Sequence, residues 1–381
     1  MAESITIIAF DVHAASVVAG VLLPGQAAAA IHHVSPELSA IRRFVERVVR
    51  EAGAVRCYYE AGPTGFGLQR YLTTHGITCD VIAPSLIPKR GADRVKTDRR
   101  DAARLAVLAR AGALTVVHVP TDQDEAARDL LRCREALVTD LLRVRHRLKK
   151  FLLRHGRRFA ETRSWSKRHY AWIRQQTWAS SVLAQTHQAY LRAVDDTEAQ
   201  LAVVNAEVRA LLESEPLRTR AMPLRCFRGI DDLTALTIAA ELGDARRFPT
   251  ARSLMAYVGL VPSEFSSGER RQRGSITKTG NAHVRRVLIE AAWHYRLRPA
   301  RGPALAQRQR DARSEVVRHA WAAQHRLHGK YRRLLARGKS GPAATTAVAR
   351  ELTGFLWAVL RGDLIGQANG EPSIDVMRET L

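Results

Sequence analysis

Four carboxylates in the first part of the chain are spaced as if to share a cation. Asp11 closes the apolar stretch Ile5-Thr6-Ile7-Ile8-Ala9-Phe10, and Glu60 closes Val55-Arg56-Cys57-Tyr58-Tyr59, just before Ala61-Gly62-Pro63. Asp98 and Asp101 stand three apart in Lys96-Thr97-Asp98-Arg99-Arg100-Asp101-Ala102, so on a helix both project from one face. Strands that end together set Asp11 beside Glu60, and a helix packed across the sheet brings Asp98 and Asp101 to the same edge. Converging carboxylates repel one another unless a cation lies between them, and hard oxygen donors select Mg²⁺ or Mn²⁺. Two such ions about 3.5–4 Å apart clamp a phosphodiester during in-line displacement. Each acid alone has a plainer explanation: Asp11 as a turn residue, Asp98 as a cap or first-turn acid favoured by the helix dipole. The ordered set on strand, strand and helix favours the metal.

A second candidate group lies far downstream. Phe265-Ser266-Ser267-Gly268 is followed by Arg270, Arg271, Arg273, Gly274 and Lys278. A serine in a glycine-flanked loop can act as a nucleophile. Guanidinium groups around it stabilise both its alkoxide and the phosphorane charge that follows attack on a phosphate. In isolation Ser-Ser-Gly is an ordinary surface turn; the surrounding cations set this one apart. Upstream, the turn Gly229-Ile230-Asp231 precedes a helix expected from Leu233 to Leu242, giving a helix-hairpin-helix-like segment. Such a hairpin aims backbone N–H groups at phosphate, but Asp231 and Asp232 put negative charge there and suit helix capping.

The elements that must hold these groups fall into regions. Residues 1–120 alternate strand-like runs (Ile5–Phe10, Ser16–Leu23, Val55–Tyr59, Ile77–Ala83) with helical ones (Pro36–Ala52, Phe66–Thr74, Asp98–Ala111), which indicates a mixed α/β domain. Residues 121–220 carry no strand signal and predict a long helical or coiled-coil segment. Within it, Arg143, Arg145, Arg147, Lys149, Lys150, Arg154, Arg157 and Arg158 form a dense basic stretch, either a solvated helix face or a nucleic-acid-contacting arm. Trp165, Tyr170 and Trp172 follow, suited to base stacking or to core packing. His146, His155 and His169 fit either phosphate contact or, more simply, solvation. Residues 221–365 are mainly helical around one Gly/Ser-rich interruption, and the polar stretch 366–381 is expected to be a flexible tail.

Composition narrows the partners. The 381 residues include 60 Lys+Arg against 37 Asp+Glu, a formal charge of +23 that attracts polyanions, nucleic acid first among them. No apolar run of about 18 residues suggests a membrane span, and the first residues lack a signal-peptide pattern, so a cytoplasmic protein is expected. Cys57, Cys79, Cys133 and Cys226 are scattered without a Cys-x-x-Cys pair. They read as four buried small hydrophobes in a reducing compartment rather than as zinc ligands or disulfides. No Gly-x-x-x-x-Gly-Lys-Ser/Thr string is present, so no nucleotide hydrolysis is expected.

The order Asp at a strand end, Glu before Gly-Pro, and Asp-x-x-Asp on a helix resembles the ribonuclease-H-like (RuvC-like) domain of the DEDD transposases of bacterial insertion sequences. Lys96-Thr97-Asp98-Arg99-Arg100-Asp101-Ala102 is similar to that family's own wording of the last acid pair. The phrases Tyr257-Val258-Gly259-Leu260-Val261-Pro262, Ser266-Ser267-Gly268 and Ile276-Thr277-Lys278-Thr279-Gly280-Asn281 resemble its C-terminal transposase domain. One departure is Asp231-Asp232, where the family often has Gly-Pro after the first turn glycine.

The resemblance spans Ile5 to about Leu360. It implies that Asp11, Glu60, Asp98 and Asp101 are a catalytic tetrad binding Mg²⁺ or Mn²⁺. It further implies that a serine of the Ser-Ser-Gly loop, Ser267 or in its place Ser266, attacks DNA and forms a covalent phosphoserine link. Acids and serine would then build a composite site in a homo-oligomer, dimer or tetramer. Donor and target DNA would be joined under the guidance of a structured non-coding RNA, the bridge RNA. Arg143, Arg147, Lys149, Lys150, Arg154, Arg270, Arg271, Arg273 and Lys278 are the expected nucleic-acid contacts, with Arg332, Arg333, Arg337 and Lys339 as a further basic cluster. Two other classes fit the residues as well: a metal-dependent junction nuclease that uses water, and a non-catalytic nucleic-acid-binding protein.

Overall fold

The computed structural model describes residues 5–88, 97–161, 163–264 and 272–362. The chain forms two compact units, Met1–Pro120 and Thr121–Leu381.

The first unit is built on a five-stranded sheet in the order β3-β2-β1-β4-β5. Its strands are β1 (Thr6–Val12), β2 (Val17–Leu22), β3 (Ala30–Val34), β4 (Val55–Glu60) and β5 (Cys79–Ile82). The first three form an antiparallel meander, whereas β4 and β5 run parallel to β1. The helices are α1 (Leu38–Ala52), α2 (Gly67–Thr74) and α3 (Asp98–Arg110).

Strand alternation sorts the side chains into two layers. Ile8 and Phe10 of β1 with Cys57 and Tyr59 of β4 face Ile41, Val45, Leu68 and Leu72 of α1 and α2. Ile7, Ala9 and Tyr58 face the opposite way, against Leu105 and Ala106 of α3. The predicted strands and helices of this unit are all present. The sheet also contains β3, which was not anticipated. Its sequence, Ala-Ile-His-His-Val, lies at an exposed sheet edge and so carries no buried alternation to read.

The second unit is almost entirely helical. Helix α4 (Asp122–Arg154) and helix α6 (Ser181–Leu212) form a long antiparallel hairpin, with α5 (Lys167–Arg174) packed at its far end. At 33 residues, α4 is about 50 Å long. Buried Leu141, Val144, Leu148 and Phe151 repeat at three- and four-residue spacing, which presents one apolar stripe to α6. The remainder comprises α7 (Leu217–Ala221), α8 (Asp232–Leu242), α9 (Ala251–Tyr257), α10 (Ala282–Ala292), α11 (Pro303–Arg308), α12 (Ser314–Ala336) and α13 (Gly341–Arg361). A short antiparallel pair, β6 (Pro262–Glu264) and β7 (Arg273–Ile276), interrupts them. Ala127 and Leu131 of α4 and Val208 and Leu212 of α6 belong to the same core as α8, α10, α12 and α13. The base of the hairpin is therefore continuous with the C-terminal helices. The predicted tail, 366–381, lies outside the described residues.

Two expectations fail here for reasons of packing. Cys57, Cys79 and Cys226 are buried, but Cys133 is exposed on α4 and fills no core position. His169 is not solvated: it is buried at the hairpin tip, where its Nδ1 accepts the Trp165 amide at 2.8 Å. Burial, with the Lys149 charge in support, holds the His169 imidazole below its usual range and so neutral. Trp165, Tyr170 and Trp172 pack against this same small core. Arg145, in the middle of the basic stretch, is committed to Glu198 at 2.5 Å and stacks over Trp165.

Candidate functional site: an acid corner and a basic hairpin

The acid corner follows from the layering of the first unit. On the α3 face, Asp11 comes two residues after Ala9, and Glu60 two after Tyr58. The parallel register pairs Phe10 with Tyr59, so Asp11 and Glu60 are the next neighbours at the end of the two strands. Helix α3 starts at the same edge. Thr97 is its cap, accepting the Arg100 amide, and Asp98 and Asp101 occupy its first turn. Gly20 of β2 allows the approach: a Cβ there would stand 2.8 Å from the Ala102 carbonyl oxygen. At the other end, Arg110 donates to the carbonyls of Leu22 at 2.7 Å and Leu23 at 2.8 Å, which fixes the slide of the helix along β2.

This packing brings Asp11, Asp98 and Asp101 together. Burial pushes the Asp11 carboxyl up from its ordinary range; His13 pulls it down, Asp98 and Asp101 push it up, and the net shift is upward. His13 joins the corner from the β1–β2 turn, with Nε2 3.2 Å from Asp11 Oδ1 and 3.9 Å from Asp98 Oδ1. One ligand atom from each of Asp11, His13 and Asp98 lies within 4.8 Å of the other two. Several oxygen donors on rigid elements, held close despite their repulsion, fit a divalent cation. His13 escaped the sequence reading, because one histidine in a turn carries no signal until α3 is packed against it.

The second unit positions the other group. Strands β6 and β7 pair on either side of residues 265–271. Ser266, Ser267, Arg270 and Arg271 lie outside the described residues; the backbone of Arg273 begins β7. The two family-like phrases that flank this hairpin clasp one another. The Gly259 carbonyl accepts the Lys278 amide at 3.2 Å, and the Tyr257 carbonyl accepts the Asn281 amide at 3.0 Å. Gly280, at φ +66°, has room for no side chain, since a Cβ would sit 1.9 Å from the Tyr257 oxygen. Between them Lys278 is held at φ +55°, a left-handed conformation that costs a non-glycine residue on the order of 1 kcal/mol. Its side chain is exposed, two residues past the end of β7.

Behind the clasp stands a residue that the sequence reading missed. Glu241 of α8 is 1% exposed and accepts from Arg132 of α4 at 2.8 and 3.0 Å and from the Asn281 amide side chain at 2.7 Å. Burial pushes its carboxyl up, but Arg132, Asn281 and the charge of Arg128 outweigh that and hold it below its ordinary range. Asn281 also caps α10 by accepting the Val284 amide. The predicted capping by Asp231 is present too: it accepts the Thr234 amide at 2.9 Å. Of the basic stretch, Arg143, Arg147, Lys149, Lys150 and Arg154 are exposed along α4, and Arg332, Arg333, Arg337 and Lys339 are exposed at the end of α12.

A mixed sheet with carboxylates gathered at the end of β1 and the start of α3 defines a nuclease-type α/β domain. Residues 8–156 match a DEDD transposase domain of the IS110 type, which implies a ribonuclease-H-like fold and the use of divalent metal ions. Residues 222–307 match the Transposase IS116/IS110/IS902 family. The y4qE protein of Sinorhizobium fredii, a transposase by name, is 43% identical over 323 residues, covering 85% of this chain and 80% of that protein. The transposase for insertion sequence element IS1533 of Leptospira borgpetersenii is 34% identical over 297 residues, 77% of this chain and 86% of that protein. The chain belongs to the IS110 family of insertion-sequence transposases. Its class of activity is accordingly DNA cleavage and transfer. Among the described residues, no helix is long and apolar enough to cross a membrane.

Proposed function

We propose that this transposase joins donor and target DNA through a covalent phosphoserine intermediate, with Ser267 as nucleophile and Ser266 as the alternative. The Ser267 oxygen bonds to the scissile phosphorus in line as the bond to the departing deoxyribose oxygen breaks. The serine proton leaves and the departing oxygen gains one. Arg270, Arg271, Arg273 and Lys278 stabilise the charge that grows on the phosphoryl oxygens. Asp11, Glu60, Asp98 and Asp101 hold Mg²⁺ or Mn²⁺, which supplies Lewis-acid stabilisation of that charge when bound. Strand exchange follows when a hydroxyl of the second DNA reverses the attack. Because the ester conserves the phosphodiester energy, no nucleotide is consumed.

In this reading a structured guide RNA selects both DNAs by base pairing, while the protein reads backbone and shape. Arg143, Arg147, Lys149, Lys150 and Arg154 contact nucleic-acid phosphates, and the working form is a homo-oligomer. The observation that carries the proposal is the acid corner, assembled in a chain that also bears the family's serine-containing domain.

The test is trapping. Full-length protein, incubated with labelled DNA carrying the element's ends and with the RNA that copurifies with it, should yield a denaturation-resistant adduct. Ser267→Ala should lose the adduct and Ser266→Ala keep it; the opposite pattern moves the nucleophile by one residue. Cleavage with no adduct would replace the serine mechanism with a water-using nuclease. An Asp11→Asn variant with unchanged cleavage would remove the acid corner from the chemistry.

A further inference from the structure

The hairpin between β1 and β2 delivers a non-carboxylate donor to the acid corner. Asp11 on β1 faces α3, and His13 lies in the turn just past the end of that strand at Val12. The His13 amide donates to the Ser16 carbonyl at 2.9 Å, which closes the turn and sets the direction in which the side chain leaves it. The imidazole Nε2 then stands 3.2 Å from Asp11 Oδ1 and 3.9 Å from Asp98 Oδ1.

These separations suit atoms arranged about a shared centre. In an octahedral site with metal–ligand bonds of about 2.1 Å, adjacent ligand atoms are about 3.0 Å apart and opposite ones about 4.2 Å apart. The contact with Asp11 is a close ion pair and that with Asp98 a longer one. The 3.9 Å to Asp98 is beyond a hydrogen bond, yet it falls between the two octahedral separations.

We propose that His13 is a nitrogen ligand of the metal site, sharing one ion with Asp11 and Asp98. The inference rests on the metal-binding reading above and adds a donor to it. An imidazole among carboxylates changes which ion is preferred. Mg²⁺ favours oxygen donors and retained water, whereas Mn²⁺ accepts nitrogen, so the site should discriminate in favour of Mn²⁺ more than four carboxylates alone would.

The test is pulsed electron paramagnetic resonance of Mn²⁺ bound to the full-length protein, read for ¹⁴N couplings. The wild type should show coupling to imidazole nitrogen, and His13→Ala should lose it while binding Mn²⁺ roughly 10- to 100-fold more weakly. Mg²⁺ affinity, measured by competition, should fall less. His13→Gln, which keeps a polar side chain in the turn, should likewise lose the coupling. Circular dichroism should show both variants folded. Stoichiometric Mn²⁺ without nitrogen coupling in the wild type would overturn the proposal and leave the carboxylate site standing. Coupling that survives in both variants would also overturn it. Failure of the wild type to bind Mn²⁺ at all would overturn the carboxylate site together with it.

Discussion

Asp11 and Glu241 are both acids drawn out of water, and their surroundings shift them in opposite directions. Burial raises each carboxyl. At Asp11, His13 pulls it back while Asp98 and Asp101 push it up, and with burial the net shift stays upward. At Glu241 the guanidinium of Arg132, the amide of Asn281 and the charge of Arg128 reverse the effect. The acid corner of the first unit thus concentrates negative charge that an added cation would relieve. The clasp of the second unit carries its own cations and is complete as a scaffold. A binding site and a structural anchor made from the same chemistry differ in whether the counter-charge is part of the fold.

The comparison can be broken first at the corner. Asp11→Asn and Asp98→Asn should each reduce DNA cleavage by about 10³-fold or more, because loss of metal-derived stabilisation is worth several kcal/mol. The readout is strand cleavage in vitro, with circular dichroism unchanged. Glu241→Ala should instead destabilise the fold by about 2–4 kcal/mol, since it leaves Arg132 and Arg128 beside an uncompensated buried gap. Denaturant unfolding would report that loss, and an unchanged midpoint would mean that the network is incidental. Gly20→Ala sharpens the contrast further. Its Cβ would press on the Ala102 carbonyl, cost about 1–3 kcal/mol and shift Asp98 away from Asp11, so Mn²⁺ affinity should fall with stability.

The smallest effects lie in the dependence on pH. Glu241 is held below its ordinary value of 4.5, so the unfolded chain binds more protons between the two values. Its contribution is fully present above pH 4.5 and is lost as pH falls through the folded value. Asp11 has the opposite sign: above its ordinary 3.8 the folded chain retains the proton longer, and stability drains away as pH rises through the folded value. Asp11→Asn should therefore raise the metal-free melting temperature at neutral pH while removing metal affinity. A lowered melting temperature would show that Asp11 is structurally required.

Much of the first unit was legible, because its strands and helices bury one face and their periods survive in the sequence. Edge strand β3 was not, since an exposed strand has no face to hide. Glycine and threonine in Ile276-Thr277-Lys278-Thr279-Gly280-Asn281 signal a turn, but only its contact with Tyr257 and Gly259 explains why Lys278 takes a left-handed conformation. Burial of His169 and the engagement of Arg145 were hidden for a related reason. Both look solvated until α5 packs at the hairpin tip, burying His169 beside Trp165 and Trp172, and α6 brings Glu198 to Arg145.

Local pattern alone determined the alternation of strands and helices, the order of the acids and the membership of the serine phrase in a basic loop. These depend on residues close in sequence, whose side-chain direction follows from strand and helix periods. Which donors share a corner was decided by tertiary structure. The turn that follows β1, a glycine that admits α3 and an arginine that fixes its slide bring His13 to Asp98 across more than eighty residues of chain.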